Sequence, residues 1–349
     1  MKRHILHLTI FISIISLLTA CENEIPYSPK RQDPQLIMNA LLNAGEKENF
    51  IYLNLSGTQN IQHVKDAMVT LYINGKETEI AKVVELPEAY NQNNSIPEII
   101  KQKKFRLTSS FKPGDVLRLE AIAEEGQYHV IAEVKVPQPI NPIQVDTCLT
   151  YIKNNDNWGW YRQFKIAIQD RPDERNYYRL DIQHKLTLYG YNSTGKDTIA
   201  TEYKSSTLVN REDVVLTDGH SSTSDDEDNG IVTNIPNKYN VFTDNRFLNA
   251  NYTLKVYDQT YDIYSSIIYS VHRISESITV RLFSITEKEY LYLRALNTLE
   301  SDDYDETIME PIILPHNVEG GLGFVGVSSE TKATLQLPDQ FIDLPIPYQ

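Results

Sequence analysis

The histidines of the chain are the residues whose types could support catalysis or metal binding. Six histidines follow residue 20, at positions 63, 129, 184, 220, 272 and 316, and they lie far apart along the chain. None belongs to a His-Glu-x-x-His motif, in which two imidazoles on one helix face bind zinc. The sequence also has neither the Gly-x-Ser-x-Gly motif of a serine nucleophile nor a phosphate-binding Walker loop. The sequence therefore predicts no cofactor and no catalytic residue, although a dyad assembled in space stays open.

One segment has the letters of a dinucleotide-binding loop. Gly321-Leu322-Gly323-Phe324-Val325-Gly326 satisfies the G-x-G-x-x-G pattern. That motif needs a helix opening on it and a later strand with an acidic residue, whereas only 23 residues follow Gly326 and three of them are proline. We therefore expect a tight turn between two strands, which glycine permits.

Asp225, Glu227 and Asn229 precede Gly230 and imitate the first half of a calcium loop. The closing carboxylate is missing, because position twelve of the loop would be Pro236. A solvated acidic loop is the favoured interpretation, and these three residues remain a weak metal candidate.

Trp158, Trp160 and Tyr161 are the candidate contacts for a ligand or partner. The two tryptophans project to one side if their segment is extended, and exposed aromatic rings make stacking platforms. Anchoring in the core is the competing and favoured reading of these rings. Cys148 lies in an alternating, strand-like stretch, where we expect a buried structural thiol.

Thr198 is a candidate site of O-glycosylation. Asp197-Thr198-Ile199 resembles the Asp-Thr-aliphatic acceptor of general O-glycosylation in Bacteroidetes, and we expect it in a polar loop. An unmodified turn is the alternative.

The N-terminal residues have the pattern of a lipoprotein signal peptide. Two basic residues precede an apolar run from Ile5 to Leu18, which is too short to span a bilayer comfortably. The run ends in Leu18-Thr19-Ala20-Cys21, the small-residue-then-cysteine pattern at which a lipoprotein peptidase cuts. We therefore predict a signal peptide over residues 1–20, a lipid anchor on Cys21 and an extended tether over residues 21–34.

The charge of the chain argues against a nucleic-acid partner. Removing residues 1–20 removes Lys2 and Arg3 and no acidic residue, so the formal net charge moves from −14 to −16. Such a body repels phosphate backbones. After Cys21 the only cysteine is Cys148, so stability must come from core burial without a disulfide framework.

Alternating apolar residues predict a mainly β fold. Short strands separated by turns favour an N-terminal Ig-like antiparallel β-sandwich over residues 35–137, followed by a larger β-rich domain over residues 138–349. The larger domain contains one clear helix, Glu287 to Leu299, because Thr286 and Glu289 form a capping box. Ser205 to Thr233 is polar and is expected to be a surface loop.

Several short motifs follow one another along the chain: Cys21 with Glu22 and Glu24, Pro34-Gln35-Leu36-Ile37, Pro113-Gly114-Asp115, Val136-Pro137, Asp170-Arg171-Pro172 before Asn176-Tyr177-Tyr178, Val241-Phe242-Thr243-Asp244 before Phe247 and Tyr252, Ser284 to Leu296, and His316 to Phe324. Together they resemble the outer-membrane lipoproteins of Bacteroidetes grouped as domain-of-unknown-function family 4249, often encoded beside TonB-dependent receptors.

The resemblance implies a surface-exposed lipoprotein of the outer membrane that faces the cell exterior. It also implies a non-enzymatic accessory of a TonB-dependent receptor in nutrient capture or uptake, with no catalytic residues to carry over. Two alternatives stay open: a surface hydrolase acting on a glycan or peptide, and an adhesin or surface-assembly subunit.

Overall fold

The computed structural model describes residues 33–57, 61–85, 102–154, 157–206, 208–209, 213–217, 237–259, 268, 270–301, 304 and 310–342. Within these residues the chain is mainly β, as the alternation predicts, with a single helix. The first eight strands are β1 Leu36–Asn43, β2 Asn49–Leu55, β3 Ala67–Ile73, β4 Lys76–Ile80, β5 Lys82–Val83, β6 Lys103–Leu107, β7 Val116–Ala123 and β8 Tyr128–Lys135. The remaining elements are β9 Gln144–Asn154, β10 Asn157–Gln169, β11 Tyr177–Tyr191, β12 Asp197–Ser205, β13 Leu208–Val209, β14 Val241–Thr243, β15 Asn251–Gln259, β16 Ser270–Ile285, α1 Glu287–Leu299, β17 Val318–Glu319, β18 Val325–Gln336 and β19 Gln340–Phe341.

The front part of the chain forms two sheets around one core. One sheet has the order β17-β8-β7-β3-β4, and the other runs through β1, β2, β6 and β5. Alternate residues of β2 and β3, such as Ile51, Leu53 and Leu71, are buried between them. Full burial of such a side chain contributes about 1.5–3 kcal/mol, so the alternation that predicts the strands also supplies the stabilisation.

Asn74 and Gly75 form the turn between β3 and β4. Both residues have positive φ, 51° and 78°, which is the backbone that a two-residue hairpin turn requires. The side chain of Asn74 also accepts a hydrogen bond from the backbone of Val116 at 2.9 Å, so the turn is tied to β7.

The larger part repeats the arrangement with longer strands. A sheet ordered β13-β15-β10-β9 faces the strands β11 and β16, and the core between them includes Phe164, Ile182, Val256 and Val280. β11 and β16 pair in register from Tyr177 opposite Ile285 and are shifted once, after Tyr189.

Strand β18 belongs to both parts. Its first residues pair in parallel with β1, beginning with Ala40 opposite Val325, and its later residues pair antiparallel with β16. Val325 and Val327 of β18, which lie in the predicted larger domain, therefore contribute to the core of the front sandwich, and Val318 of β17 joins them there by pairing with β8. One ten-stranded sheet results.

Helix α1 has the predicted bounds, Glu287 to Leu299. The hydroxyl of Thr286 accepts a hydrogen bond from the backbone nitrogen of Glu289 at 3.2 Å, which is the first half of the predicted capping box. Leu293 packs with Phe283 and Ile285 of β16. No helix among the described residues is long and apolar enough to cross a bilayer.

The glycine-rich segment forms the expected turn. Gly320 and Gly323 have φ of 79° and 112° and lie between β17 and β18, so no helix opens on the motif. Gly321 packs directly on the backbone of Leu36, where a Cβ would approach the carbonyl oxygen to 2.3 Å. The segment is a close crossing of two backbones.

The prediction of a surface loop over Ser205 to Thr233 is wrong in part. Leu208 and Val209 pair with β15 as a short strand, and Val215 and Leu216 are buried in the core of the larger part. The polar composition of the segment gives no sign that Val215 and Leu216 are buried. The carboxylate of Asp213 fixes their turn, because it accepts hydrogen bonds from the backbone nitrogens of Val215 and Lys255. Most of the remaining segment lies outside the described residues.

Candidate functional site

The hairpin of β9 and β10 carries three exposed aromatic rings, Tyr151, Trp158 and Trp160, which we call the aromatic patch. Their exposed fractions are 52%, 62% and 57%. Tyr151 lies directly opposite Trp160, and Trp158 lies two residues along the same face. The ring centroids of Tyr151 and Trp158 are 5.6 Å apart with planes inclined by 17°, and those of Tyr151 and Trp160 are 5.3 Å apart. The rings thus orient one another within the folded chain.

The position of the patch follows from strand alternation. Trp158 and Trp160 lie on the same face of β10 as Phe164 and Ile166, which are buried in the core. The core ends at Phe164, so the same face continues beyond it into solvent. The prediction that both tryptophans share one side is confirmed, and core anchoring is wrong for both.

Two other predictions on this hairpin are wrong. Tyr161 is only 5% exposed and lies on the opposite face of β10, because its position alternates with those of Trp158 and Trp160. It cannot serve as a surface contact. Cys148 is exposed rather than buried, because it points away from the core-facing Val145, and its Sγ lies 3.8 Å from Oε1 of Gln163.

Basic residues flank the aromatic patch. Lys153 pairs with Trp158, and Arg162 pairs with Leu149, which is itself 54% exposed. A chain with net charge −14 thus presents an apolar surface bordered by two positive groups.

A buried histidine cluster lies between the two sheets of the larger part. His184 of β11 is 2% exposed, its Nδ1 lies 2.6 Å from Glu276 Oε1, and its Nε2 lies 2.8 Å from Asp258 Oδ2. Ser206 Oγ lies 2.9 Å from the same Nε2. In outline this is the serine, histidine and carboxylate set of a hydrolase. No spacing in the sequence signals this set, because strand pairing and the packing of two sheets bring these residues together.

The protonation state of His184 argues against that chemistry. Burial lowers the pKa of His184, but hydrogen bonds to Asp258 and Glu276 outweigh burial and raise it to about 9. At neutral pH both ring nitrogens therefore carry protons, and the ring has no lone pair to accept a proton from Ser206. The hydroxyl of Ser206 instead donates to Asp258 at 3.0 Å. The cluster joins β11, β15 and β16.

The motifs that carry the family resemblance meet in a second buried corner. Asn176 donates through Nδ2 to Asp170 at 3.1 Å and to Asp244 at 3.0 Å. Asp170 also accepts from the hydroxyl of Tyr178 at 2.8 Å and from the backbone of Asn249 at 2.9 Å. Burial raises the pKa of Asp244. These bonds fix the ends of β10, β11 and β14, so the motif residues have a structural role in this corner.

A groove of about 620 Å³ lies between the outer face of β1 and β2 and helix α1. No local pattern in the sequence predicts this groove, because its walls come from opposite ends of the chain. The available signal was the pair Phe50 and Tyr52, which alternate outward with the buried Ile51 and Leu53. The groove is lined by Asn39, Ala40, Leu41, Asn43, Glu46, Glu48, Asn49, Phe50, Tyr52, Tyr239, Tyr292, Leu293, Leu296 and Phe324.

Thr198 lies in a strand rather than in the predicted polar loop. It is the second residue of β12, an edge strand, and is half-buried, and its hydroxyl donates to the backbone of Lys196 at 3.2 Å. Cys21 and the calcium candidates Asp225, Glu227 and Asn229 lie outside the described residues. Within the described part of the chain, no cluster of three metal-ligating side chains occurs.

The strands and the aromatic patch define a mainly β protein with several antiparallel sheets and an exposed apolar patch. The chain belongs to the family described as Domain of unknown function (DUF4249), whose model matches residues 22–334. No curated protein matches the sequence. A solved structure of a DUF4785 family protein from Legionella pneumophila is similar over 73% of this chain, with 9% identity and a TM-score of 0.22. The match spans about half, 53%, of that chain, and it carries no functional inference.

Proposed function

We propose that this protein is a lipid-anchored lipoprotein of the outer membrane, facing the cell exterior, that assists a TonB-dependent receptor in nutrient capture or uptake. It acts by contact and without catalysis, and the aromatic patch is its contact surface. The observation that carries the proposal is the exposure of Tyr151, Trp158 and Trp160 on a paired hairpin.

The energetics of the patch support a partner. Burying a large apolar side chain completely contributes about 1.5–3 kcal/mol. The three adjacent rings are 52–62% exposed, so roughly half of that stabilisation is still available to a partner. Contiguous exposed apolar surface marks interaction sites, and tryptophan and tyrosine are the residue types that dominate interface energies. The rings are also ordered by their mutual contacts, which lowers the entropy lost on binding.

The lipid anchor rests on the pattern around Cys21, where the apolar run ends in a small residue followed by cysteine. An acyl-anchored body is confined to one membrane, so its effective concentration near other proteins of that membrane is raised. A membrane receptor is therefore the partner class that the anchor favours.

The test is affinity purification of the native, tagged protein from solubilised outer membranes, with mass-spectrometric identification of the proteins that accompany it. We expect a TonB-dependent barrel in the purified material. Absence of any outer-membrane barrel would contradict the proposal. Recovery of self-polymers or a host protein instead would favour an adhesin or assembly subunit, and glycan or peptide cleavage by the purified chain would favour the hydrolase.

A further inference from the structure

We propose that the groove between the β1–β2 face and helix α1 binds an uncharged oligosaccharide. This second site is independent of the aromatic patch and of the receptor partner. Three features carry the proposal: aromatic ring faces on two sides, amide groups on the floor, and the absence of an unpaired charge among the carboxylates that line it.

The ring faces come from strand and helix alike. Phe50 and Tyr52 are two residues apart on β2 and face the groove from its floor, and Tyr292 of α1 faces it from the side. Tyr292 stacks on the buried Phe324 with ring centroids 4.4 Å apart and planes inclined by 9°, which fixes its orientation. The face of an aromatic ring is electron-rich and attracts the weakly positive C–H groups of a sugar ring.

The floor of the groove supplies hydrogen-bonding amides. Asn39, Asn43 and Asn49 line it. The side chain of Asn49 is already committed, because Oδ1 accepts from the backbone nitrogen of Asn43 at 2.7 Å and Nδ2 donates to its carbonyl at 3.2 Å. Asn43 is 6% exposed, and in the structure its Nδ2 has no hydrogen-bond partner. A ligand hydroxyl is an acceptor that would satisfy this donor.

The charges around the groove argue against an ionic ligand. Glu46 is paired with Arg281, and Glu48 lies 3.1 Å from Arg106. Each carboxylate of the lining therefore has a cationic neighbour. The ammonium group of Lys104 is held over the rings of Phe50 and Tyr52, 3.9 Å and 5.7 Å from their centroids. Recognition of a ligand therefore falls to the remaining ring faces and to the amides. Rings that stack and amides that donate are together the requirements of a neutral polyhydroxylated ligand.

The size of the groove suits part of a sugar chain. Its volume of about 620 Å³ is within the range of about 300–1,000 Å³ that holds small ligands in proteins. It also lies between two packed elements, which is a common position for such sites.

The experiment is isothermal titration of the purified full chain, in a detergent without a sugar head group, with maltohexaose, cellohexaose, laminarihexaose, mannohexaose and xylohexaose. We expect at least one of these to bind. We expect Tyr52→Ala and, separately, Asn43→Leu to weaken that binding at least tenfold, while Tyr52→Trp retains it. Thermal unfolding of each variant establishes that it is folded, and the two substitutions serve as alternatives if one does not fold.

The Ile199→Ala, Tyr203→Ala double variant, at residues that are 64% and 72% exposed on β12, is the matched control and should bind the same oligosaccharide unchanged. No binding of any of the five oligosaccharides at millimolar concentration would overturn the proposal. Oligosaccharide binding that is lost in the Trp158→Ala, Trp160→Ala double variant and kept in Tyr52→Ala would also overturn it. Trilysine is titrated as a cationic probe, and its binding in place of the oligosaccharides would overturn the proposal of an uncharged ligand. The receptor proposal is unaffected by these outcomes, because none of these titrations contains a receptor.

Discussion

The carboxylate of Glu289 occupies the space beside Gly326 that any larger residue would need. A Cβ built on Gly326 would lie 2.6 Å from Oε2 of Glu289 and 2.8 Å from Cδ2 of Leu41. Glu289 is 1% exposed, burial raises its pKa to about 7, and its Oε1 lies 4.0 Å from Nε of Arg179. Gly326, the last glycine of the G-x-G-x-x-G pattern, thus leaves the space that Glu289 in the first turn of helix α1 occupies.

Gly326→Ala should lower the free energy of unfolding by about 1–3 kcal/mol, because the added methyl group overfills a packed site. Urea denaturation measures the change. In a Glu289→Ala background the same substitution should cost less, since the carboxylate no longer competes for the space. Equal costs in the two backgrounds would show that Glu289 does not set the requirement for glycine.

The buried His184 predicts a stability that depends on pH. Its pKa rises from 6.5 to about 9 on folding, so its contribution is complete below pH 6.5 and is lost as the pH rises through about 9. We expect the free energy of unfolding to fall by about 1–3 kcal/mol over that interval. His184→Gln should remove this component, and His316→Gln, at an exposed histidine, should leave it intact. An unchanged pH profile in His184→Gln would contradict the assignment.

Cys21→Ala should release the protein from the membrane. Covalent lipid is the only anchor that we propose, and acyl chains hold a protein by about 0.8 kcal/mol for each buried methylene group. Washing membranes without detergent should therefore recover the variant and not the wild-type protein. Continued need for detergent would count against lipidation at this cysteine.

Thr198→Ala tests the proposed glycosylation. β12 is an edge strand, so a half-buried threonine near its start is accessible from the open side of the sheet. We expect the intact mass of the native protein to fall by a glycan mass in addition to the mass of the substitution. Thr201→Ala, in the same strand, is the matched control. A change equal to the substitution alone would remove the hypothesis.

The alternation of apolar and polar residues along the chain was sufficient to predict the class of fold and which residues share one face of a strand. It placed Trp158 and Trp160 on one face, and the capping pattern placed α1 at the observed residues. Alternation does not state which face is covered, because that depends on where the opposing sheet ends. For this reason the burial of Trp158, Trp160 and Cys148 was predicted wrongly.

Structural features that join distant segments of the chain could not be predicted from this alternation. The groove needs β1 and β2 beside α1. The His184 cluster needs the register of β11 with β16 and the packing of β15 against them. The sharing of β18 depends on a parallel pairing between residues near the two ends of the chain, such as Ala40 with Val325. Local patterns carry no information on these pairings.

The central claim is that the aromatic patch holds the protein to an outer-membrane receptor. The most direct measurement is the amount of TonB-dependent barrel recovered with equal amounts of three tagged proteins: the wild type, Trp158→Ala with Trp160→Ala, and Ile199→Ala with Tyr203→Ala. The last pair is a matched control, because Ile199 and Tyr203 are 64% and 72% exposed on another strand. Truncation of a hot-spot residue costs at least about 2 kcal/mol in affinity, and tryptophan is among the residue types most often found at hot spots. We therefore predict at least about a tenfold loss of the barrel with the folded tryptophan variant and no loss with the control. Equal recovery of the barrel with all three proteins would contradict the account.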